Sequence, residues 1–273
     1  MEASNPFGKQ YKAIFHAGRP LSDLFQQSTP AGTELSFAQN ILEILYPHTP
    51  QAPFICSTAS SQPNDSPFSS REMRKVIREL NKTKAPGYDG LYNIILQQIH
   101  SASPKLLLKM FNKCLSLGLF PTFFKTGVIL LFYKEGKDQN DPKSYRPNSL
   151  LPPVGKLLEK LMTQRLTYFL KKTRQVSPKQ FGFKEGVSID HALDSLLTTI
   201  DRHKRNKMHV AIVSFDIKGA FDNLKYSSIV EKLSNKQRPQ NIQSLFRNLL
   251  KDSSVIIPSS EGVAQQQQTR VLQ

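Results

Sequence analysis

The segment His209-Val-Ala-Ile-Val-Ser-Phe-Asp-Ile-Lys-Gly-Ala-Phe-Asp222 carries the clearest chemistry in the chain. It is an apolar, β-branched run that stops abruptly at Asp216. A strand that delivers a carboxylate at its C-terminal end is a common way to hold Mg²⁺, which wants hard oxygen ligands in octahedral geometry. The same pattern also suits an aspartate that only caps a turn. An aspartyl-nucleophile phosphatase needs a second Asp two residues on; Lys218 stands there, which excludes that chemistry. An aromatic residue five positions on, here Phe221, suits a site that stacks under a sugar and rejects the wrong 2′ substituent. Asp222 reads as a helix N-cap rather than a metal ligand. Other site chemistries are excluded by spacing. Cys56 and Cys114 are too few for a disulfide framework or a zinc site. The 6 His residues show no paired ligand spacing. Gly155-Lys156 is no phosphate-binding loop, because Leu150 occupies its first glycine position and Leu157 follows the lysine.

The elements that must position Asp216 follow from periodicity. His209 to Phe215 is expected to be a strand. Val154 to Lys171 is the clearest helix, with Val154, Leu157, Leu158, Leu161, Met162, Leu166, Phe169 and Leu170 on one stripe. Ile189 to Arg205 repeats the pattern. Further helices are predicted over Leu35–Tyr46, from a cap at Ser70 to Leu80, and over Leu91–His100, Pro104–Leu117, Tyr226–Leu233 and Asn241–Leu250. Val128 to Tyr133 reads as a buried strand, Lys134 to Tyr145 as a polar loop or hairpin tip, and Val255 to Ile257 as the start of a strand. Pro86-Gly87 and Asp89-Gly90 are turn chemistry.

Of the 273 residues, 37 are Lys or Arg and 21 Asp or Glu, a net charge of +16. The charge is uneven. Residues 1–70 hold 3 basic and 5 acidic side chains, so the positive field belongs to the remainder. Such a field favours a polyanion, nucleic acid first. Residues 47–70 are rich in Pro, Ser, Thr and Asn, and residues 1–70 are expected to be a partly disordered linker ahead of a domain at 71–273. No 18-residue apolar window and no leader pattern occur. An intracellular, reducing setting is therefore expected, with nucleus and cytoplasm undistinguished.

Several blocks in order resemble the reverse transcriptases of non-LTR (LINE-type, Jockey-like) retrotransposons. They are Lys84-Ala-Pro-Gly-Tyr-Asp-Gly90, Phe120-Pro-Thr-Phe-Phe-Lys-Thr-Gly-Val-Ile129, Lys134-Glu-Gly-Lys-Asp138, Ser144-Tyr-Arg-Pro-Asn-Ser-Leu-Leu-Pro152, Gly155-Lys-Leu-Leu-Glu-Lys160, Gln180-Phe-Gly-Phe-Lys-Glu-Gly186 and Phe215-Asp-Ile-Lys-Gly-Ala-Phe-Asp222. The resemblance covers roughly residues 70–233. It implies an α+β right-hand fold, with fingers and the first half of a palm, mostly helical with a small antiparallel sheet. It implies RNA-templated addition of dNTPs to a primer 3′-hydroxyl through two Mg²⁺ ions, with RNA template, DNA primer and dNTP as partners. Asp216 would be the catalytic carboxylate and, with the Ile217 carbonyl, a metal ligand. Phe221 would be the sugar gate, and Lys134 and Arg146 would grip the triphosphate, with Lys137 a weaker candidate. Two basic clusters suit the template backbone: Lys171, Lys172, Arg174 and Lys179, and Arg202, Lys204, Arg205 and Lys207.

The departures are specific. The family's second palm motif is an aromatic-x-Asp-Asp hairpin, and this sequence has no Asp-Asp dipeptide. The Pro-Gln-Gly block that precedes that hairpin is missing, its place corresponding to Gly262–Gln265 or to Val271–Gln273. Asn148 replaces an aliphatic residue and Phe124 a frequent Trp. The chain is accordingly expected to be the front part of such a polymerase and not to polymerise by itself. The alternatives are a non-catalytic RNA-binding module or a non-functional transposon relic.

Overall fold

The computed structural model describes residues 33–46, 66–138, 141–217, 220, 224–234 and 239–268. These divide into two units, one of described residues within 1–164 and 221–273, the other within 165–220.

The first unit is built on a four-stranded sheet of order β2-β1-β3-β4: β1 (Thr126–Tyr133), β2 (Tyr145–Leu150), β3 (Ser254–Ser259) and β4 (Gly262–Gln267). β1 and β2 form an antiparallel hairpin in which Phe132 faces Arg146 and Tyr133 faces Tyr145. β3 and β4 form a second antiparallel hairpin. Between the hairpins, β1 and β3 run parallel, with Thr126 beside Ser254. The sheet is therefore mixed, not antiparallel as expected. Its two hairpins are joined by a long helical crossover, the connection that parallel neighbours require. β2 is an edge strand, which is why Pro147 is tolerated within it.

Helix α1 (Glu34–Leu45) starts at Thr33, whose hydroxyl accepts from the Ser36 N–H, and lays Phe37, Ala38, Ile41 and Leu42 on one face of the sheet against Ile129, Leu131, Val255 and Ile257. Its first turn is tied to the second hairpin. The Glu34 carboxylate accepts from the Ser260 N–H (3.1 Å) and hydroxyl (2.6 Å), and the Glu261 carboxylate accepts from the Leu35 N–H (3.3 Å). The described part of the N-terminal region is thus packed on the sheet; residues 1–32 and 47–65 lie outside the described residues.

The larger core is helical. α2 (Ser70–Arg78) is capped at Ser69, one residue before the expected cap, through a reciprocal box with Glu72. α3 (Asn93–Ala102), α4 (Pro104–Leu117) and the first half of α5 (Pro153–Lys172) complete the layer, with α8 (Gln240–Leu250). Met73, Leu96, Phe111, Phe120, Leu157, Leu161 and Leu245 meet in one buried cluster. α7 (Tyr226–Leu233) precedes α8.

The second unit holds the end of α5, helix α6 (Ile189–Arg205) and residues 206–217. α6 occupies the residues its periodicity predicts, capped by Ser188, yet none of its residues is buried and the stripe Ile189, Leu193 and Leu197 is exposed. The strand expected over His209–Phe215 is not formed: these residues are irregular, and Val213 and Phe215 are exposed. A strand exists only where a neighbour completes its ladder. No described strand pairs with this run; β1 already has β2 and β3 on its two sides.

Candidate active site and nucleic-acid interface

Three glycines lock the motif blocks of the first unit together. A Cβ at Gly87 would lie 2.5 Å from the Pro152 nitrogen, and one at Gly155 would lie 2.5 Å from the Phe124 carbonyl oxygen. A Cβ at Gly127 would strike the Ser149 hydroxyl. The turn after Gly87 closes through the Gly90 N–H to the Gly87 carbonyl (3.1 Å), with Gly90 at φ +68°. The Tyr88 ring packs tilted against Phe123, centroids 5.1 Å apart. Blocks far apart in sequence, 84–90, 120–129 and 144–155, are therefore held together, and they include β2 and the first half of β1.

The candidate triphosphate grip sits at the loop end of the β1–β2 ribbon. Lys134 follows β1 directly; its N–H donates to the Ser144 carbonyl (2.8 Å) and its ammonium to the Lys143 carbonyl (2.6 Å). Arg146 is exposed opposite Phe132 and makes no ion pair among the described residues. Lys137 is exposed in the same loop. The face of β1–β2 that carries Arg146 also carries Val128, Leu130, Phe132, Asn148 and Leu150, only partly covered by Ala85. Asn148 is half-buried there, so it avoids the penalty of a fully buried amide without partners.

Asp216 and Ile217 lie in the second unit, exposed at the end of the irregular run. Phe221 and Asp222 lie outside the described residues. Asp216 is a single carboxylate, and among the described residues no group of three or more His, Cys, Asp or Glu side chains could hold a metal ion. The described residues thus do not build a two-metal site.

The basic clusters also belong to the second unit. Lys171 and Lys172 lie in the last turn of α5 with Arg174 just beyond it, and Arg202, Lys204 and Arg205 lie in the last turn of α6 with Lys207 just beyond it, where positive charge complements the helix dipole. All are exposed, as is Lys179. Lys171 makes a salt bridge to Glu185 at 3.4 Å. Both helices end in the same hydrogen-bond pattern. The Arg174 N–H donates to Lys171 and the Gln175 N–H to Leu170; the Lys207 N–H donates to Lys204 and the Met208 N–H to His203. This closing motif needs one left-handed residue, normally glycine. α4 supplies Gly118 (φ +61°), whereas α5 and α6 use Arg174 (φ +52°) and Lys207 (φ +57°). Cations thus stand where glycine is sterically cheaper by about 1 kcal/mol.

The burial of two lysines escaped the sequence reading. Lys125 is buried at the foot of β1; its ammonium donates to the Asn248 carbonyl, the Asn248 Oδ1 (3.1 Å) and the Lys251 carbonyl (2.9 Å), so it pins the C-terminal end of α8. Burial lowers its pKa to about 8, against the pull of Asp252. Lys156 is likewise lowered, by burial and then by Lys84, while Glu159 and Asp89 oppose. Burial raises the Asp89 carboxyl despite its bond from the Leu91 N–H (3.2 Å). Nothing in local sequence marks a lysine as buried; only its distant acceptors do.

Residues 134–273, just over half the chain, match the reverse transcriptase (RNA-dependent DNA polymerase) family. The chain is 30% identical over 209 residues to the RNA-directed DNA polymerase from mobile element jockey of Drosophila funebris, covering 77% of this chain and 22% of that protein. The jockey polymerase of Drosophila melanogaster is 31% identical over 169 residues, 62% of this chain and 18% of that protein. A putative 115 kDa protein of the type-1 retrotransposable element R1DM of the same fly is 29% identical over 204 residues, 73% of this chain and 19% of that protein. The chain therefore spans about a fifth of the length of the curated relatives it matches. The matched stretch contains the ribbon end, both basic clusters and Asp216, and the same ordered blocks that the glycines lock together extend the likeness upstream. The chain belongs to the reverse transcriptase family, among those of non-LTR retrotransposons.

Proposed function

We propose that this chain provides the fingers and the first part of the palm of a retrotransposon RNA-directed DNA polymerase. The reaction class is in-line attack of a primer 3′-oxygen on the α-phosphate of a dNTP, with pyrophosphate leaving. In this reading Arg146 and Lys134 hold the triphosphate, Phe221 gates the sugar, and Asp216 with the Ile217 carbonyl are this chain's ligands for Mg²⁺. Lys171, Lys172, Arg174 and Lys179, with Arg202, Lys204, Arg205 and Lys207, hold the template backbone, which proteins contact through phosphates and 2′-hydroxyls.

The observation that carries the reading is the ribbon end. An exposed guanidinium without an ion pair among the described residues stands on a strand fixed by the glycine interlock, and a guanidinium bonds phosphate oxygens in a bidentate fork. With one Asp at the candidate centre and no Asp-Asp dipeptide in the sequence, the chain alone is proposed not to polymerise.

Two measurements test this. Binding of a fluorescent dNTP analogue should weaken about tenfold in Arg146→Ala, the loss of one charge-assisted pair worth roughly 1.5–3 kcal/mol; unchanged binding removes Arg146 from the grip. Primer extension on an RNA template should yield no product with this chain. Mg²⁺-dependent synthesis abolished by Asp216→Ala would overturn the proposed inactivity.

A further inference from the structure

The β1–β2 ribbon has two unlike faces. On one, Ile129, Leu131 and Tyr145 are buried against α1, with the Phe37 ring edge-on to Tyr145 at 6.1 Å. The other carries Val128, Leu130 and Phe132 of β1 opposite Leu150, Asn148 and Arg146 of β2. This second face is closed only at its inner end, where Ala85 and Leu150 are buried. Towards the loop it opens: Leu130, Phe132 and Asn148 are half-buried and Arg146 is exposed. Directly opposed residues of an antiparallel pair hold their Cβ atoms about 4.5–5.5 Å apart, so Asn148 stands against Leu130.

Asn148 goes against the ordinary rules of a strand. Asparagine is depleted from strands, where β-branched and aromatic side chains pack best. Its side chain offers two donors and an acceptor, and it makes no side-chain hydrogen bond among the described residues. It shares its face with Arg146, two residues and about 6.6 Å back along the strand. An unanswered amide, set in an apolar strip and open on one side, thus stands one step inward from an exposed guanidinium.

The order of chemistry along this face is that of a nucleotide. The guanidinium at the loop end suits phosphate. Inward of it come Phe132 and Leu130, apolar surface for a base, and with Leu130 the Asn148 amide. A nucleotide laid the other way would set its base against the charged loop of Lys134, Glu135, Lys137 and Asp138. The Watson–Crick edge of an incoming base belongs to its template partner, which leaves the edge that carries N7. On that edge an asparagine amide pairs in bidentate fashion with adenine, through N6 and N7. We propose that Asn148 contacts the base of the nucleotide whose phosphates Arg146 holds, and that it favours adenine there. The inference rests on the reading of Arg146 as the triphosphate grip, which by itself carries no base preference.

The test is competition of unlabelled dATP, dGTP, dCTP, dTTP and 7-deaza-dATP against a fluorescent dNTP analogue on the full chain. The dATP should bind about tenfold tighter than the other three natural dNTPs, a margin within reach of one bidentate amide–adenine pair. The 7-deaza analogue, which lacks the N7 acceptor, should lose most of that margin. Asn148→Leu should level the affinities without lowering the melting temperature, because leucine packs well against Leu130 across the strands. Asn148→Asp keeps the volume but only accepts, and it should shift the order towards dCTP, whose N4 amine donates. Arg146→Ala should weaken every dNTP by a similar factor. Equal affinities in the parent chain, a margin for another base, or an adenine margin that survives Asn148→Leu overturns the inference; if Arg146→Ala still weakens binding, the grip stands. Binding indifferent to Arg146→Ala, or no dNTP binding at all, removes the grip and this inference together.

Discussion

Lys125 shows how one side chain can join elements that sequence holds far apart. Its ammonium answers three oxygens at the end of α8, and Lys125→Met would take this donor from the Asn248 and Lys251 carbonyls, while Asn248 Oδ1 keeps the Phe120 N–H (2.8 Å). The expected loss is about 2–4 kcal/mol, read as the shift in urea midpoint. Its pH signature has a defined sign. With a folded pKa of about 8 against roughly 10.4 in the unfolded chain, the unfolded state holds more protons between those values, so stability rises with pH there. The melting temperature should climb from pH 8 towards 10, and Lys125→Met should flatten that part of the curve; an equal climb in the variant would assign it to another group. The left-handed caps give a second residue-scale prediction. Lys207→Gly should stabilise the chain by about 0.5–1 kcal/mol, because glycine takes the conformation without strain, and should weaken RNA binding. A stabilised variant with unchanged RNA affinity would show that the cation at this cap serves no ligand.

The elements were unequally legible. Pro104, Ser188 and the apolar stripes mark helix ends and faces, and α4, α6 and α7 fall on the residues their local signals predict. β4 was invisible, because Gln265, Gln266 and Gln267 have no strand signal of their own. They are held by pairing with β3 and by Ala264 turned into the core. The run at His209–Phe215 fails in the opposite sense: its β-branched pattern is strong, but no ladder partner is described, and partnership is not a local property. For the same reason the motif blocks were readable while their interlock was not. Gly87 looks like a turn residue in sequence and Gly155 falls within the predicted helix; in the fold both are points of backbone contact. Gly87→Ala or Gly155→Ala should each cost about 1–3 kcal/mol, whereas Gly136→Ala, where a Cβ meets nothing, should cost only the strain of φ +78°. Urea denaturation of the three variants checks this ordering, and a Gly87→Ala chain no less stable than Gly136→Ala would remove the interlock.

At the scale of the molecule, charge is the property the sequence conveyed best. A net +16 points to a polyanion, and that charge gathers at the ribbon end, at the α5 and α6 ends, and along the exposed side of α2. The clusters at the ends of α5 and α6 were recognisable as runs of lysine and arginine. Arg71, Arg74, Lys75 and Arg78 share one side of α2 through their i, i+3, i+4, i+7 spacing. Among the described residues no helix is long and apolar enough to cross a membrane.

The parallel pairing of β1 with β3 also orders events in time. Thr126 and Ser254 meet across 128 positions. At a synthesis rate of roughly 5–20 residues per second, a ribosome needs some 6–25 s, on that estimate, to supply β3 after β1 has emerged. A hairpin closes in microseconds, so β1 and β2 pair long before their neighbour exists. In that interval one edge of β1 stays open, and Ile129 and Leu131 lack the Val255 and Ile257 that later share their core. The nascent chain therefore passes through a window in which it is a sticky half-sheet. How long it dwells there is set by translation speed across residues 134–253, so slow codons in that stretch should lower soluble yield without altering the finished protein.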